Sequence, residues 1–146
     1  MDRIEFTVYG NPVGKGRPKF STFNGHATAY TPQKTVNYEA IVRLAYQQQC
    51  GGQKFDKDLP LRARIMAYFP IPKSTSKKKH QQMVDGEIRH TKKCDADNLA
   101  KAILDALNGI AFYDDSQVCE LLVYKYYSDT PRVEIILREV KKINEI

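Results

Sequence analysis

Residues 61–69 alternate strictly between two sets of side chains, and this period of two is typical of a β-strand. One set is Leu61, Ala63, Ile65, Ala67 and Phe69, and the other is Arg62, Arg64, Met66 and Tyr68. Pro70 and Pro72 follow and end the strand, because proline cannot donate a hydrogen bond to a sheet. The pattern predicts a strand with an apolar face and a largely polar face.

Three further strands are predicted along the chain. Residues 4–9 alternate in the same way and indicate a half-buried strand. Residues 119–127 and 132–139 are rich in β-branched and aromatic side chains. The turn-forming residues 128–131 separate them, so these two strands are expected to form a hairpin.

Helical periodicity and end signals predict three helices. In the first, Thr31 caps the start, Pro32 is the first helical residue, and Gly51-Gly52 ends the helix. Its predicted apolar stripe is Val36, Ala40, Ile41 and Leu44. Ser76 is expected to cap a short basic helix that runs to Val84 and ends at Gly86.

The third helix is expected to begin with Asp97 or Asn98 as its cap and to end near Asn108-Gly109. Its apolar stripe is Leu99, Ala102, Ile103, Ala106 and Ile110. The order of elements predicts an α/β (α+β) fold with a mixed sheet of about four strands and two to three helices packed on it. Residues 1–146 are expected to form a single domain, because no linker or repeat interrupts the pattern.

Bulk composition excludes several classes of protein. No apolar run approaches the roughly 20 residues that span a bilayer, and the N-terminus lacks a signal-peptide pattern, so a cytoplasmic protein is expected. The three cysteines are odd in number and widely spaced, matching neither a zinc ligand set nor a disulfide framework. The three histidines are scattered and are expected on the surface or in loops.

Positive charge is concentrated in two segments. The chain carries a formal charge of +6, and residues 73–93 supply +5 of it through seven basic and two acidic residues. The Gly- and Pro-rich loop 10–20 carries basic residues at alternate positions, which would project to one side of an extended chain. Both segments are candidates for contacts with nucleic acid, although a solvated surface would explain them too. The candidate contacts are Lys15, Arg17, Lys19, Lys77, Lys78, Lys79, Lys92 and Lys93.

Two acidic pairs lie within this basic context, Asp95/Asp97 and Asp114/Asp115. Carboxylate oxygens suit Mg²⁺ or Mn²⁺, and a metal beside lysines suits the hydrolysis of a phosphodiester. Lys101 follows Asp97 by one helical turn and could stabilise charge in the transition state. Asp115 can join the first pair only if the chain returns from the end of the third helix to its beginning, which residues 110–115 allow with almost no slack.

A structural explanation of the same residues stays open. Acids at a helix start stabilise it through its dipole. Asp97 and Lys101 are also spaced as an ordinary ion pair on one helix face, and Asp114-Asp115 could form a turn before the next strand.

The chain resembles the RusA-type Holliday junction resolvases of bacteria and their prophages. The resemblance lies in three segments, Asp95-Ala96-Asp97-Asn98-Leu99-Ala100-Lys101, Leu104-Asp105-Ala106-Leu107-Asn108-Gly109 and Asp114-Asp115-Ser116-Gln117-Val118. The N-terminal residues 14–20 and 29–32 are similar to phage-type members of this family.

The resemblance implies a homodimeric, Mg²⁺-dependent endonuclease that makes paired symmetric nicks in four-way DNA junctions. It places the metal-binding aspartates at Asp95, Asp97 and Asp115, the essential lysine at Lys101, and a supporting acid at Asp114. A two-fold dimer would suit the symmetry of a four-way junction. Leu104 and the tyrosines within residues 124–127 are candidates for its interface.

The sequence therefore predicts a resolvase of branched double-stranded DNA that acts in recombination and repair or in phage DNA processing. It is expected to use Mg²⁺, or Mn²⁺ in its place, and to need no organic cofactor or membrane. Two rivals are a non-catalytic protein that binds junctions and a less selective nuclease for branched or flap DNA.

Overall fold

A computed structural model describes residues 3–141, so Met1, Asp2 and residues 142–146 of the predicted domain lie outside the described residues. The elements in chain order are β1 (Arg3–Tyr9), β2 (Lys19–Phe23), β3 (His26–Tyr30), α1 (Gln33–Cys50), β4 (Leu61–Pro70), α2 (Lys77–Val84), α3 (Ala96–Leu107), a 3₁₀ turn (Asp115–Gln117), β5 (Val118–Ser128) and β6 (Arg132–Glu139).

Four strands form one mixed sheet in the order β1-β6-β4-β5. The β4–β5 pair is parallel, and the pairs β1–β6 and β4–β6 are antiparallel. Parallel neighbours need a long crossover connection, and here the crossover carries α2 and α3. The predicted α+β architecture, a mixed four-stranded sheet with helices, is confirmed. The predicted hairpin between residues 119–127 and 132–139 is wrong, because β4 lies between β5 and β6 in the sheet.

The alternation in β4 separates a buried face from an open face, as predicted. Leu61, Ala63, Ile65, Ala67 and Phe69 are all buried. On the opposite face Tyr68 stacks on Tyr126 with ring centroids 5.2 Å apart, and both rings stay partly accessible. Among the tyrosines of residues 124–127, only Tyr127 is buried in the core.

The first helix differs from its prediction in both its start and its buried stripe. It begins at Gln33 with Pro32 as the N-cap, one residue later than predicted, and Thr31 lies outside it. The buried side chains are Thr35, Tyr38, Glu39, Val42 and Tyr46, whereas Val36, Ala40, Ile41 and Leu44 are exposed. The helix carries apolar residues on two sides, and the bulkier tyrosine side packs on the sheet.

A second, two-stranded sheet was not predicted. Strands β2 and β3 pair antiparallel around Asn24-Gly25, both of which have positive φ. That backbone shape suits a two-residue hairpin turn, and Asn-Gly is its strongest sequence signal. The predicted loop is therefore limited to residues 10–18, and a hairpin follows it.

Within residues 3–141 no helix is both long and apolar enough to cross a membrane. The cysteines Cys50, Cys94 and Cys119 form no disulfide bond with one another.

The helix α2 begins after Ser76, whose hydroxyl accepts a hydrogen bond from the Lys79 N–H, as predicted.

Candidate active site

The start of α3 presents two carboxylates to solvent. Asp95 is the N-cap residue and Asp97 lies in the first turn, so the helix begins earlier than the predicted cap at Asp97 or Asn98. Asp97 is thus helical, and Asp95 precedes the helix in an extended conformation. Both residues are exposed, and the Asp95 side chain makes no capping hydrogen bond. These carboxylates are not needed to complete the helix.

Lys101 is exposed one turn further along α3. Its ammonium forms no ion pair within 4.0 Å among residues 3–141, so the Asp97–Lys101 pair is not closed in this structure. Asp97, Lys101 and the half-buried Leu104 follow one another on the outer side of the helix. The outer side of α3 therefore carries a carboxylate and an ammonium group one turn apart, neither of them in an ion pair with residues 3–141.

The loop before β2 packs tightly against this helix start. A Cβ atom at Gly14 would lie 2.9 Å from the Cβ of Cys94 and 3.2 Å from that of Asn98, so only glycine fits there. The Lys15 N–H donates to the Asn98 carbonyl at 2.8 Å. The Gly16 N–H donates to the Thr35 hydroxyl at 2.9 Å. The loop is thereby fixed between the starts of α1 and α3.

Lys15 has a structural role that was not predicted. Its Nζ lies 3.1 Å from a carboxylate oxygen of Glu39 and 3.1 Å from one of Asp105, and its side chain is 18% exposed. Burial alone would lower the pKa of Lys15, but the hydrogen bonds and negative charges of Glu39 and Asp105 outweigh it and raise the pKa. This ammonium ties the loop to α1 and α3, and contact of Lys15 with DNA stays a prediction.

A cleft of about 1040 Å³ opens between this loop and the start of α3. Of the residues that the structure describes, Asp95 is the only acidic one in its lining. The basic side chains of the lining are Lys15, Arg17, Lys19, Lys34 and Lys93. A cleft with this charge attracts a polyanion and brings it to the Asp95 end of α3.

The other predicted basic contacts lie near this cleft or on α2. Lys77, Lys78 and Lys79 are exposed in the first turn of α2. Cations at a helix N-terminus oppose the helix dipole, so folding does not explain them. Lys92 is exposed, and its carbonyl accepts a hydrogen bond from Lys125 Nζ at 2.5 Å.

The second acidic pair sits in a rigid turn before β5. The Asp114 carboxylate accepts a hydrogen bond from the Ser116 hydroxyl. The Gln117 side chain accepts from the Asp114 N–H at 3.1 Å and donates to the carbonyls of Asp56 and Leu59 at 3.0 and 3.1 Å. Asp115 is half-buried, and its carboxylate has no hydrogen-bond or ion-pair partner among the described residues.

The two acidic pairs lie at opposite ends of the subunit. After α3 the chain turns compactly, since the N–H groups of Ile110 and Ala111 both donate to the Leu107 carbonyl. Asp115 then precedes the end of β5 that pairs with Leu61, whereas Asp95 lines the cleft together with Phe69 and Pro70 at the other end of β4. The length of α3 alone, 12 residues, separates the pairs by roughly 18 Å.

The return of Asp115 to the helix start, on which a site within one chain depended, therefore does not occur. Between Arg3 and Lys141 one subunit gathers no group of three or more His, Cys, Asp or Glu side chains that could hold a metal ion. The assignment of Asp95, Asp97 and Asp115 as a metal site stays a prediction. A single subunit supplies only two of these three acids at one place.

His90 lies in the loop between α2 and α3, as expected, but its ring is buried. Its ring stacks on Phe69 with centroids 3.6 Å apart and is 8% exposed. Burial, together with the positive charges of Lys125 and Lys92, lowers the pKa of His90 to about 4. This histidine is neutral at physiological pH and supports the wall beside the cleft.

Sequence reasoning missed the residues that hold the site together. Gln117 anchors the second acidic pair, Glu39 and Asp105 hold Lys15, and Gly14 admits the loop. The available signal for Glu39 was its place between apolar residues of α1, because a helix that packs on a sheet needs an apolar face and an acid on that face needs a partner.

Comparisons with known proteins agree with the motifs. The family model Endodeoxyribonuclease RusA matches residues 9–138. The chain is 42% identical over 142 residues to "Uncharacterized protein YqaN" of Bacillus subtilis (strain 168). The match covers 96% of this chain and 99% of that relative. Because the family model spans nearly the whole described fold, including both acidic pairs, the chain belongs to the RusA endodeoxyribonuclease family.

Proposed function

We propose that this protein is a Mg²⁺-dependent endonuclease that resolves four-way DNA junctions as a homodimer. Family membership supports endodeoxyribonuclease activity. The observation that carries the proposal is the exposed, unengaged pair Asp95 and Asp97 beside a basic cleft and a free lysine, Lys101. These are the charges needed to hold a divalent cation and a phosphodiester together.

The donor set fits a hard cation. Asp95, Asp97 and Asp115 offer carboxylate oxygens, and no hydrogen bond or ion pair of the described residues engages them. Bound Mg²⁺ would polarise the scissile phosphate and lower the pKa of an attacking water. Asp114 bonds Ser116 within its turn and so supports the position of Asp115 without being available itself.

The separation of the acids within one chain leads us to infer a site shared between two subunits. The outer side of α3 carries Asp97, Lys101, Leu104 and Asn108 in sequence. If two α3 helices pack antiparallel about a two-fold axis near their middle, Asp97 of each comes to the end of α3 near the partner subunit's Asp115. A dimer of this kind would complete two identical metal sites.

The outer surface of α1 supports a subunit interface on the helical side of the sheet. Val36, Ile41 and Leu44 are exposed there although they are large and apolar. α1 packs beside α3 on the same side of the sheet, so both helices present their outer surfaces together. Apolar side chains clustered on one outer surface are typical of an interaction site.

The remaining residues have roles that follow from their positions. Lys101 would stabilise the negative charge that develops on the phosphate oxygens, because its ammonium has no other partner among residues 3–141. Arg17, Lys19, Lys92, Lys93 and the α2 lysines would hold the DNA backbone. Lys15 positions the loop that carries two of them.

The test is nicking of a synthetic four-way junction by the wild-type protein, with and without Mg²⁺ or Mn²⁺. We expect paired nicks at symmetric positions that require the metal. A linear duplex and a flap of matched sequence are the controls for selectivity. Equal cleavage of the flap would favour the less selective nuclease, and binding without any nicking in Mg²⁺ would favour a non-catalytic junction-binding protein.

A further inference from the structure

The β2–β3 hairpin presents its aromatic side chains to solvent. Every strand residue of the hairpin is exposed, and Phe20 and Phe23 are 73% and 77% exposed. An isolated two-stranded hairpin is only marginally stable, and these rings add nothing to the core. Folding therefore does not account for two large apolar rings at this place.

The hairpin extends directly from the basic cleft. Its first residue, Lys19, lines the cleft that also contains Asp95. Residues 19–30 contain no aspartate or glutamate. A polyanion held in the cleft meets the hairpin without electrostatic repulsion, and this charge complementarity indicates nucleic acid as the occupant.

The two phenylalanines point to opposite faces of the hairpin, because they lie three positions apart on one strand and successive side chains alternate between its faces. Phe20 pairs with Ala29 across the hairpin, and Ala29 is too small to cover the ring. The hairpin can therefore offer an uncovered aromatic surface on either side.

We propose that this hairpin is a wedge for the branch point of DNA, in which Phe20 and Phe23 stack against the bases at the ends of adjoining duplex arms. The inference rests on the proposed function in taking branched DNA as the ligand. Bases stack on aromatic rings whatever their sequence, and apolar side chains inserted between base steps unstack them. The end of an arm at a branch exposes a base face that a continuous duplex does not.

The first experiment compares Phe20→Ala/Phe23→Ala with the wild type by measuring the affinity for a synthetic four-way junction in EDTA, which prevents cleavage. We expect the affinity for the junction to fall about tenfold or more and the affinity for a matched linear duplex to stay unchanged. The salt dependence of junction binding should keep its slope, because no phosphate contact is removed. Tyr9→Ala, which removes a side chain that is 68% exposed outside the hairpin, is the matched control and should bind as the wild type does.

A second measurement uses the absence of tryptophan from the chain. Phe23→Trp introduces one fluorescent indole, and stacking on a base should quench its emission when the junction binds but not when the linear duplex binds. Tyr9→Trp should show no quenching with either DNA.

Unchanged junction affinity in the double variant, together with unquenched Phe23→Trp, would overturn the wedge. A shift of the double variant from dimer to monomer in sedimentation without DNA would overturn it too, because the rings would then pack against a second copy of the chain. Failure of the proposed function is distinguishable: the wild type would then bind junctions through Phe20 and Phe23 but not nick them in Mg²⁺.

Discussion

Lys15 and Lys101 are two lysines close to acids around the same helix, and the structure treats them in opposite ways. Lys15 is largely buried and bonded to Glu39 and Asp105, whereas Lys101 is exposed and without an ion pair in the described chain. Both were candidates for action on DNA by sequence. A charged side chain that already has partners within the fold has a structural role, and one without partners is available for chemistry. Its neighbours in sequence do not reveal which of the two it is.

The acids divide in the same way. Asp105 and Asp114 are engaged by Lys15 and Ser116. Asp95, Asp97 and Asp115 keep their carboxylates free of hydrogen bonds and ion pairs from residues 3–141. Among the five aspartates of the family-like segments, the three free ones are those that the family resemblance assigns to a metal.

The largest effect is expected at a free acid. Asp97→Asn removes a charge with almost no change in volume, so nicking of a four-way junction should fall at least about 10³-fold. Junction binding in EDTA should be as tight as or tighter than that of the wild type, because less negative charge faces the DNA. Asp105→Asn is the comparison, because the Asp105 carboxylate is already engaged by Lys15. If Asp97→Asn also lost DNA binding and folded protein, Asp97 would have a structural role.

Removing each lysine separates the two roles directly. Lys101→Met should lower nicking about 10²-fold or more and leave the free energy of unfolding within about 0.5 kcal/mol of the wild type. Lys15→Met should lower the free energy of unfolding by about 1–3 kcal/mol, because Glu39 and Asp105 lose their partner in a partly buried place. Urea unfolding measures stability, and equal stability of the two variants would contradict the distinction.

Gly14→Ala tests whether the loop that carries Lys15 must pack tightly on α3. The new Cβ atom would crowd Cys94 and Asn98, so we expect a loss of about 1–2 kcal/mol in the free energy of unfolding. Gly52→Ala is the matched control, since nothing lies within 4 Å of a Cβ atom there. Equal thermal midpoints for the two variants would show that the close approach is not required.

The smallest effect concerns the buried ring of His90. Its pKa in the folded state is lowered to about 4, below its value of 6.5 when unfolded, so the unfolded state binds the extra proton first. Stability is therefore complete above about pH 6.5 and declines as the pH falls toward 4. Between pH 7 and 5.5 the wild type should lose about 1 kcal/mol more than His90→Phe, measured by urea unfolding. Identical pH profiles would show that His90 is not kept neutral by the fold.

Periodicity was sufficient to predict the four strands of the sheet, and β4, which alternates strictly, buries one set of residues completely. It did not predict their order, because β4 inserts between β5 and β6, which the short turn at residues 128–131 led us to pair as a hairpin. The same reasoning chose the wrong side of α1, where Val36, Ile41 and Leu44 compete with Tyr38, Val42 and Tyr46. Both sets recur at helical spacing, and only packing on the sheet decides between them. The hairpin was predictable from Asn24-Gly25 but was masked by the many glycines and prolines before it.

The residue types of the candidate site could be predicted, but their grouping could not. Whether Asp115 returns to the start of α3 depends on the compact turn after Leu107 and on the bonds of Gln117 to Asp56 and Leu59. These bonds join segments about sixty residues apart, which no local pattern reveals. The ion pairs of Lys15 likewise depend on Glu39 and Asp105, which lie on two different helices.

The central claim, that each metal site combines acids of two subunits, can be tested by mixing two inactive variants. Asp97→Asn and Asp115→Asn should each be unable to nick a junction in Mg²⁺. A dimer with one subunit of each kind has one site with both acids intact if the sites are shared, so refolding the variants together should restore nicking, with about a quarter of the wild-type number of intact sites after random pairing. No nicking by the mixture, when sedimentation shows that mixed dimers have formed, would contradict the claim.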